Sequence, residues 1–226
     1  MIPEFSAKGG WRRGALLGLL GALFLGRAAG AQWRSELWLG TAWNAPSRLT
    51  FDQLNQPELS VDAKWSTRPF DPAWVYAIRF SRWSGDAAWA FEYMHHKMYL
   101  DNPPPEVGYF RITNGVGFLL AERLWRRGGW EYGVGAGPVM SVPYSEVRGL
   151  PYDQGHGFFH SQYELVGPGV QVNLTRRLRL LPFTFGMVSL KATAAHLHTH
   201  IADGHATTWD YAVHLQYGLS LQTRSR

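Results

Sequence analysis

Three histidines near the carboxyl end of the chain have the spacing of metal ligands on a β-strand. His196, His198 and His200 alternate with other residues, so in an extended segment all three imidazoles project to the same side. Imidazole nitrogens are common ligands of zinc and other transition metals, so the spacing predicts a divalent metal ion here. The alternative is that these histidines bind water or phosphate, or respond to pH. The acidic residues that could join them are Asp101, Glu146, Asp203 and Asp210.

The segments that carry such residues alternate in polarity with a period of two. From Trp209 to Leu221 every odd position is apolar, whereas the even positions are polar or small. Similar blocks occur at 74–81, 88–96 and 130–137. An alternation of this kind predicts β-strands with one apolar and one polar face.

The composition limits the solvent that these faces can meet. The 226 residues include 11 Trp, 10 Tyr and 12 Phe, but only 17% are charged, against roughly a quarter in an ordinary soluble domain. The chain has four lysines and no cysteine, which excludes a disulfide scaffold, a thiolate zinc site and a cysteine nucleophile.

Aromatic residues head many of the apolar faces, and Gly, Ala and Ser recur on the opposite faces. A transmembrane β-barrel has this pattern, with an apolar outer surface, aromatic girdles at both interfaces and a narrow interior. Because an open sheet edge in hydrocarbon would leave backbone N–H and C=O groups unpaired, the sheet must close on itself. The sequence therefore predicts an all-β fold, a transmembrane antiparallel up-and-down β-barrel.

The expected barrel has eight strands, and its connections alternate between short and long. Short turns face the periplasm in such barrels and longer loops face outside. A segment at 47–66 also has strand character, and we interpret it as an extracellular hairpin, because bacterial barrels have an even strand count. The run Gly167-Pro168-Gly169 predicts a β-bulge. The eight predicted strands are 33–44, 74–83, 88–98, 109–125, 130–143, 158–174, 181–198 and 208–222, and the long connections beyond the hairpin are 99–108, 144–157 and 199–207.

Residues 1–31 have the three regions of a secretory signal peptide. A basic start is followed by an apolar run from Gly14 to Leu25 and by small residues that end at Ala31. This segment carries three of the five net positive charges, so the domain at 32–226 is nearly neutral. A nucleic-acid partner is therefore not expected. The expected location is the bacterial outer membrane, and the expected partners are the lipid bilayer, lipopolysaccharide and the outer-membrane assembly machinery.

This topology separates two groups of polar residues. Eight of the nine histidines fall at the outer rim, and the ninth, His214, points inward. Because a narrow lumen is filled by side chains, we expect the inward charges to form a paired polar core rather than a pore. The expected inward residues are Arg79, Glu92, Arg111, Glu131, Glu164, Gln171, Lys191 and His214.

One combination of residues would suit hydrolytic chemistry, which needs an activated nucleophile. Ser161 follows His160, and Glu164 lies three residues further along the chain. Adjacent residues on a strand point to opposite faces, so Ser161 and His160 are poorly placed to bond each other. Acyl transfer or hydrolysis is therefore the least favoured of the chemistries considered.

Several motifs resemble a known family, the outer-membrane barrels known as lipid A oxidases and their uncharacterised relatives. The resemblance is one of pattern and spans about residues 59–221. It departs from the family in the doubled His95-His96, in the 195–200 stretch and in the chain's final residues, which lack an aromatic. The matching segments are 91–99, 112–115, 133–137, 142–147 and 163–171, with a late-strand Lys191.

The resemblance implies an oxygen-dependent oxidation of the proximal glucosamine of lipid A, assisted by a metal ion, at the outer leaflet. The rival interpretation is a non-catalytic small barrel that supports the envelope or binds lipopolysaccharide or a partner through its loops. A shared barrel does not by itself transfer a reaction. The residues that the resemblance assigns to catalysis are Glu92, His96, Lys97, Glu146, Glu164 and Lys191.

Overall fold

The structure is a computed structural model that describes residues 31–71, 74–153 and 163–223. The signal peptide expected at residues 1–31 lies almost wholly outside the described residues, as do His156, His160 and Ser161. No helix in the described ranges is long and apolar enough to cross a membrane. The strands are β1 (Gln32–Asn44), β2 (Ser47–Gln53), β3 (Leu59–Ala63), β4 (Trp65–Ser66), β5 (Val75–Ser84), β6 (Ala87–Leu100), β7 (Val107–Arg127), β8 (Trp130–Val147), β9 (Leu150–Asp153), β10 (Glu164–Leu181), β11 (Thr184–Ile201) and β12 (Gly204–Gln222).

Eight of these strands form a closed antiparallel barrel, as the sequence predicts. They follow the order β1-β5-β6-β7-β8-β10-β11-β12, and β12 pairs back onto β1 from Arg34↔Gln222 to Asn44↔Ala212. Because the ring is closed, each of its strands has a hydrogen-bonded neighbour on both sides, as a sheet within hydrocarbon requires.

The outer surface of the barrel is apolar, and the inward positions are polar or small. On β12, Trp209, Tyr217 and Leu221 are exposed, whereas the intervening Asp210 and His214 are fully buried. A continuous apolar outer face of this kind is solvated by lipid, so the fold is that of an outer-membrane β-barrel. Exposed aromatic residues gather near both ends of this surface, Trp33, Trp89, Trp130 and Tyr132 at one end and Trp43, Trp74, Trp209 and Tyr211 at the other.

Short turns lie at one end of the barrel together with the ends of β1 and β12. They are Gly85–Asp86, Gly128–Gly129 and Pro182–Phe183. The turn expected at 175–180 is instead strand, because Arg176 to Arg179 continue to pair with Phe185 to Val188. By the usual orientation of such barrels this end faces the periplasm, and we call it the periplasmic end.

At the opposite, outer end the strands extend further than the sequence predicts. The loop expected at 199–207 is wrong, because β11 and β12 stay paired up to the two-residue turn Ala202–Asp203. Likewise β8 runs into β9 through Arg148 and Gly149, which both have positive φ as a tight hairpin turn demands. The hairpin expected at 47–66 is confirmed as β2 and β3, which pair with each other, and β2 also pairs with the outer end of β12.

The interior has two layers. Its periplasmic part is polar, whereas its outer part is closed by apolar side chains. We call these side chains the apolar cap, and they include Leu49, Phe51, Trp65 and Phe110. Within the cap, the ring of Phe110 lies 5.5 Å from that of Phe51 and 6.1 Å from that of Trp65. Complete burial of a side chain such as Leu49 or Phe51 contributes roughly 1.5–3 kcal/mol, so the hairpin is held firmly over the barrel end. The predicted bulge is confirmed by a register shift between Leu165 and Gly167.

Candidate functional site

Glu92 and Lys191 form a direct ion pair in the barrel interior. Glu92 lies on β6 and Lys191 on β11, and both project inward because they share the parity of the buried positions on their strands. Lys191 Nζ donates to Glu92 Oε1 at 2.6 Å, and neither side chain is exposed. A buried charge requires a partner, and here the partner comes from the far side of the ring.

Arg79 of β5 links this pair to two further carboxylates. Its Nε donates to Glu36 Oε2 at 2.5 Å, and its Nη1 lies 3.6 Å from Glu122 and 3.8 Å from Glu92. All of these groups are buried, so the mid-level interior is a network of alternating charges, as the sequence predicts for a paired polar core.

His96 is the next inward-facing residue after Glu92 and Met94 on β6, and it lies next to two residues of β12. Its Nε2 is 2.9 Å from Asp210 Oδ2, and its ring meets that of His214 edge-on at 5.0 Å. His214 shares a hydrogen bond with Thr193 and stands opposite Lys191 in the strand register. Glu92, His96 and Lys191 therefore belong to one buried cluster directly beneath the apolar cap.

Lys97 lies on the other side of the barrel wall. Its Nζ donates to the backbone carbonyls of Arg68 and Asp71, both at 2.7 Å, so it anchors the segment at residues 67–71 against the outer surface. The pairing of β6 with β7 shifts register between His96 and Met98, and Lys97 is the residue at that irregularity. The structure does not bring Lys97 together with Glu92 and Lys191.

The two remaining carboxylates lie at the outer rim. Glu164 accepts hydrogen bonds from the Thr199 hydroxyl and the His200 ring, and from the His200 backbone N–H at 3.0 Å. Burial alone would raise the pKa of Glu164, but these hydrogen bonds and the adjacent histidine hold it below its ordinary value. Glu146 is half-buried on β8, where its side chain lies against Gly108. The six candidate residues therefore lie in four separate places.

The three histidines of the predicted metal site share the outward face of β11, but each has a different neighbour. The ring of His196 meets Trp209 at 5.1 Å, and that of His198 stacks on His205 at 4.6 Å. His200 bonds Glu164 and lies 4.7 Å from His205. Within the ranges that the structure describes, no three His, Asp or Glu side chains are arranged to hold a metal ion. The metal ion expected at these three histidines stays a prediction.

His205, near the start of β12 at the outer rim, lies next to His198 and His200. Burial, together with the charges that His198 and His200 would carry, lowers the pKa of His205. Glu164 and Asp52 act in the opposite direction. We call His198, His200 and His205 the rim histidines.

Other expectations about orientation were wrong at particular residues. Arg111 is exposed, with its guanidinium 5.5 Å from the Tyr109 ring and 5.7 Å from the Tyr144 ring, because the even positions of β7 face inward. The inward charge of β7 is instead Glu122, at an even position between two buried leucines. His96 lies in the interior rather than at the rim.

Sequence reasoning also missed inward partners that the alternation could have revealed. Asp210 lies on the polar face of β12, yet its pairing with His96 depends on a strand remote in sequence. Glu36 and Arg34 alternate with exposed leucine and tryptophan on β1, so their inward orientation follows from the same period.

Comparisons with known proteins find similarity in architecture. No protein-family model matches this sequence, and no curated protein does. Among solved structures, the chain is similar to Neisserial surface protein A, with 10% identity over 85% of this chain and 96% of that one and a TM-score of 0.36. It is similar to OprG of Pseudomonas aeruginosa, at 10% identity over 85% and 96% with a TM-score of 0.42. The attachment invasion locus protein Ail of Yersinia pestis is 8% identical over 84% of this chain and 99% of its own, with a TM-score of 0.34.

Proposed function

We propose that this protein is a closed outer-membrane barrel that binds lipid A at its outer rim. The observation that carries the proposal is an apolar groove of about 470 Å³ on the outer wall beneath residues 67–71. Its floor includes Leu39 and Tyr217, which belong to the lipid-facing surface, and its edge includes Phe70, which is 94% exposed. Because the groove is continuous with the surface that faces hydrocarbon, its natural occupant is an acyl chain.

A cation lies beside this groove and offers a partner to a lipid phosphate. Arg68 precedes the groove-lining Pro69 and Phe70, and its guanidinium packs 4.2 Å from the Tyr99 ring. Its acidic neighbour Asp101 is 3.6 Å away, and both side chains are partly exposed, so this ion pair is weak. Arg68 can therefore exchange Asp101 for a phosphate group, which binds guanidinium in two-point geometry.

Burial of the interior cluster favours binding over catalysis. Glu92, His96 and Lys191 are fully buried beneath the apolar cap. A catalytic acid or base must come within hydrogen-bond distance of its substrate, directly or through one water. The interior charges are paired with one another, which is the role that a narrow lumen imposes on them whatever the function.

A second candidate function is the lipid A oxidation that the family resemblance implies. One observation favours it: three of the six residues assigned by that resemblance, Glu92, His96 and Lys191, come together in one cluster although they lie on two strands distant in sequence. Under this alternative, movement of the apolar cap would have to expose the cluster to the sugar.

Binding is tested with the refolded barrel in nanodiscs, by measuring its affinity for purified lipid A and for phosphatidylglycerol. We expect a preference for lipid A. The Phe70→Ala and Arg68→Ala variants are each expected to weaken lipid A binding by about tenfold, because each removes one contact of the size of a charged hydrogen bond or a buried ring.

Val134→Ala is the control, because Val134 is an exposed, lipid-facing residue of β8, on the wall opposite the groove. It should bind lipid A as the unaltered protein does. Equal affinity of the unaltered protein for lipid A and phosphatidylglycerol would overturn the proposal. With dephosphorylated lipid A, Arg68→Ala should have no further effect, because the guanidinium would have lost its target.

Mass spectrometry of lipid A from cells with and without the gene separates the two candidates. Identical lipid A under aerobic growth is expected if the barrel only binds. An oxidised species that requires the gene, and that disappears in the Glu92→Gln variant while Arg123→Gln retains it, would establish the second candidate instead.

A further inference from the structure

The periplasmic end of the barrel contains a basic cavity that the outer-rim function does not use. Two adjoining concave spaces, of about 350 and 580 Å³, share Arg126, Arg177 and Phe185 in their walls. The smaller space is lined further by Arg34, Trp83 and the side chains of Gln32 and Gln222, and the larger by Arg127 and Arg179. We call the two together the periplasmic cavity.

Positive charge exceeds negative charge in the lining of this cavity. Five arginines face two acidic residues, Glu131 and Asp86. Glu131 already forms ion pairs with Arg34 at 2.6 Å and Arg177 at 3.3 Å, and Asp86 forms one with Arg126 at 3.0 Å. No acidic side chain among the described residues pairs with the exposed Arg127 and Arg179, so both remain available to an anion.

Arg34 is the residue that most clearly marks a binding site. It is 2% exposed, and only its Nη1 has a hydrogen-bond partner. Neither Nε nor Nη2 of Arg34 donates to any group within the described ranges. A buried donor without an acceptor is costly, so an acceptor supplied from the cavity would stabilise this arrangement.

The guanidinium groups of the cavity are held in place by aromatic rings. Arg34 lies 4.2 Å and Arg126 lies 5.3 Å from the Trp83 ring, and Arg177 lies 3.9 Å from the Phe185 ring. Arg177 also donates to the Gln222 side-chain oxygen at 3.3 Å. Because these side chains are already ordered, binding an anion would cost little additional side-chain entropy.

We propose that the periplasmic cavity binds a phosphate-bearing anion. Guanidinium groups pair with phosphate through two parallel hydrogen bonds, and several of them converging on one space match its multiple oxygens and its double negative charge. The phosphate can come from a soluble compound of the periplasm or from the headgroup of an inner-leaflet phospholipid. The site is independent of the lipid A groove, which lies at the other end of the barrel.

The test measures binding of inorganic phosphate and of pyrophosphate to the full-length mature barrel by calorimetry, in nanodiscs of phosphatidylcholine. A second arm replaces phosphatidylcholine by phosphatidylglycerol and measures enrichment of the anionic lipid around the protein. Binding of phosphate in phosphatidylcholine indicates the soluble source. Enrichment of phosphatidylglycerol without phosphate binding indicates the headgroup.

Arg127 and Arg179 are exposed, so variants at these two positions leave the folded core intact. Arg127→Gln with Arg179→Gln is expected to weaken binding by about tenfold, and Arg34→Gln to abolish it. Arg48→Gln together with Arg123→Gln is the matched control, because it makes the same change in net charge outside the cavity. Raising the salt concentration should weaken binding in the unaltered protein, since the cavity is open to solvent.

Two results would overturn the proposal. One is that the unaltered barrel binds neither phosphate nor pyrophosphate and shows no enrichment of phosphatidylglycerol. The other is that the cavity variants and the control lose binding equally, which would indicate a response to net charge alone. Arg34→Gln is compared only if its unboiled gel migration matches that of the unaltered barrel. If the migration does not match, the variant with both Arg127→Gln and Arg179→Gln decides the outcome.

Discussion

Glu92 and Lys191 are joined by a fully buried ion pair, and each is costly to leave alone. Removing one partner from such a pair typically destabilises a protein by about 3–5 kcal/mol, because the other charge stays buried. We expect Glu92→Gln and Lys191→Met each to lower the free energy of unfolding by that amount, and the double variant to lose less than the sum. Urea unfolding of the barrel in lipid vesicles measures these changes.

The exposed ion pair between Arg126 and Asp86 is the control for this experiment. Its nitrogen and oxygen are 3.0 Å apart, but Asp86 is largely exposed, so Asp86→Asn should cost at most about 1 kcal/mol. If the two interior variants cost no more than Asp86→Asn does, the interior pair contributes nothing to stability and its charges are solvated.

His205 provides a pH-dependent contact at the outer rim. Its pKa is lowered, so between that value and the ordinary value of about 6.5 the unfolded chain binds more protons than the folded one. The stabilisation by the neutral imidazole stack is therefore present above about pH 6.5 and is lost as the pH falls through this window.

Histidine-selective NMR of the refolded barrel measures this effect directly. We expect the midpoint of His205, assigned with a His205→Asn variant, to lie below the ordinary histidine value and to rise in His198→Asn, where one neighbouring charge is removed. His198 is exposed and touches neither the groove nor the periplasmic cavity, so the fold should survive. An unchanged His205 midpoint in His198→Asn would contradict the coupling.

At the scale of the strands, glycine allows close approach where neighbouring strands leave no room for a side chain. A Cβ on Gly137 of β8 would lie 1.8 Å from the backbone oxygen of Leu119 on β7. The obstacle is backbone, so it cannot rotate away. We expect Gly137→Ala to disturb the β7–β8 pairing and to reduce the folded fraction severely.

Gly186→Ala is the control for this prediction. A Cβ there would lie 3.3 Å from the flexible Leu180 side chain, which can shift. Folding is scored by migration on unboiled gels, where a folded barrel runs differently from the boiled chain. Equal folded fractions for the two variants would show that the β7–β8 spacing adapts to a methyl group.

The alternation of apolar and polar residues with a period of two predicts where the strands lie in the sequence, but it does not predict where each strand ends. The alternation from Trp209 to Leu221 identified β12, but pairing continues to Gly204. Strands continue to pair beyond the membrane. There, both faces of a strand meet water, so the residues no longer alternate between apolar and polar. For the same reason the alternation predicts a turn at 175–180, whereas Arg176 to Arg179 are paired strand.

At the scale of the whole molecule, the filled lumen predicts a barrel that does not conduct ions. Charged pairs fill the mid-level interior, and the apolar cap closes the outer end. Eight strands leave space for side chains and little else. We expect no discrete conductance steps from the purified barrel in planar bilayers, measured beside a porin as the positive control. Regular steps that the Glu92→Gln variant alters would disprove the closed lumen.

The alternation of polarity along the chain indicates a lipid-facing barrel and predicts the inward or outward direction of most residues on its regular strands. This is a local property, because the side-chain direction alternates along any extended strand and lipid selects the apolar face. It was sufficient to place His196, His198 and His200 on one common side of their strand.

Which polar residues meet inside the barrel depends on how the strands pair around the ring, and the local pattern does not specify that pairing. Lys191 contacts Glu92 across 99 positions of sequence, and that contact depends on the register of every strand between them around the ring. His96 and Lys97 take opposite sides of the wall because they are adjacent on β6, but the contact of His96 with Asp210 inside the barrel depends on the register of β6 and β12, since a shift of one residue reverses the faces.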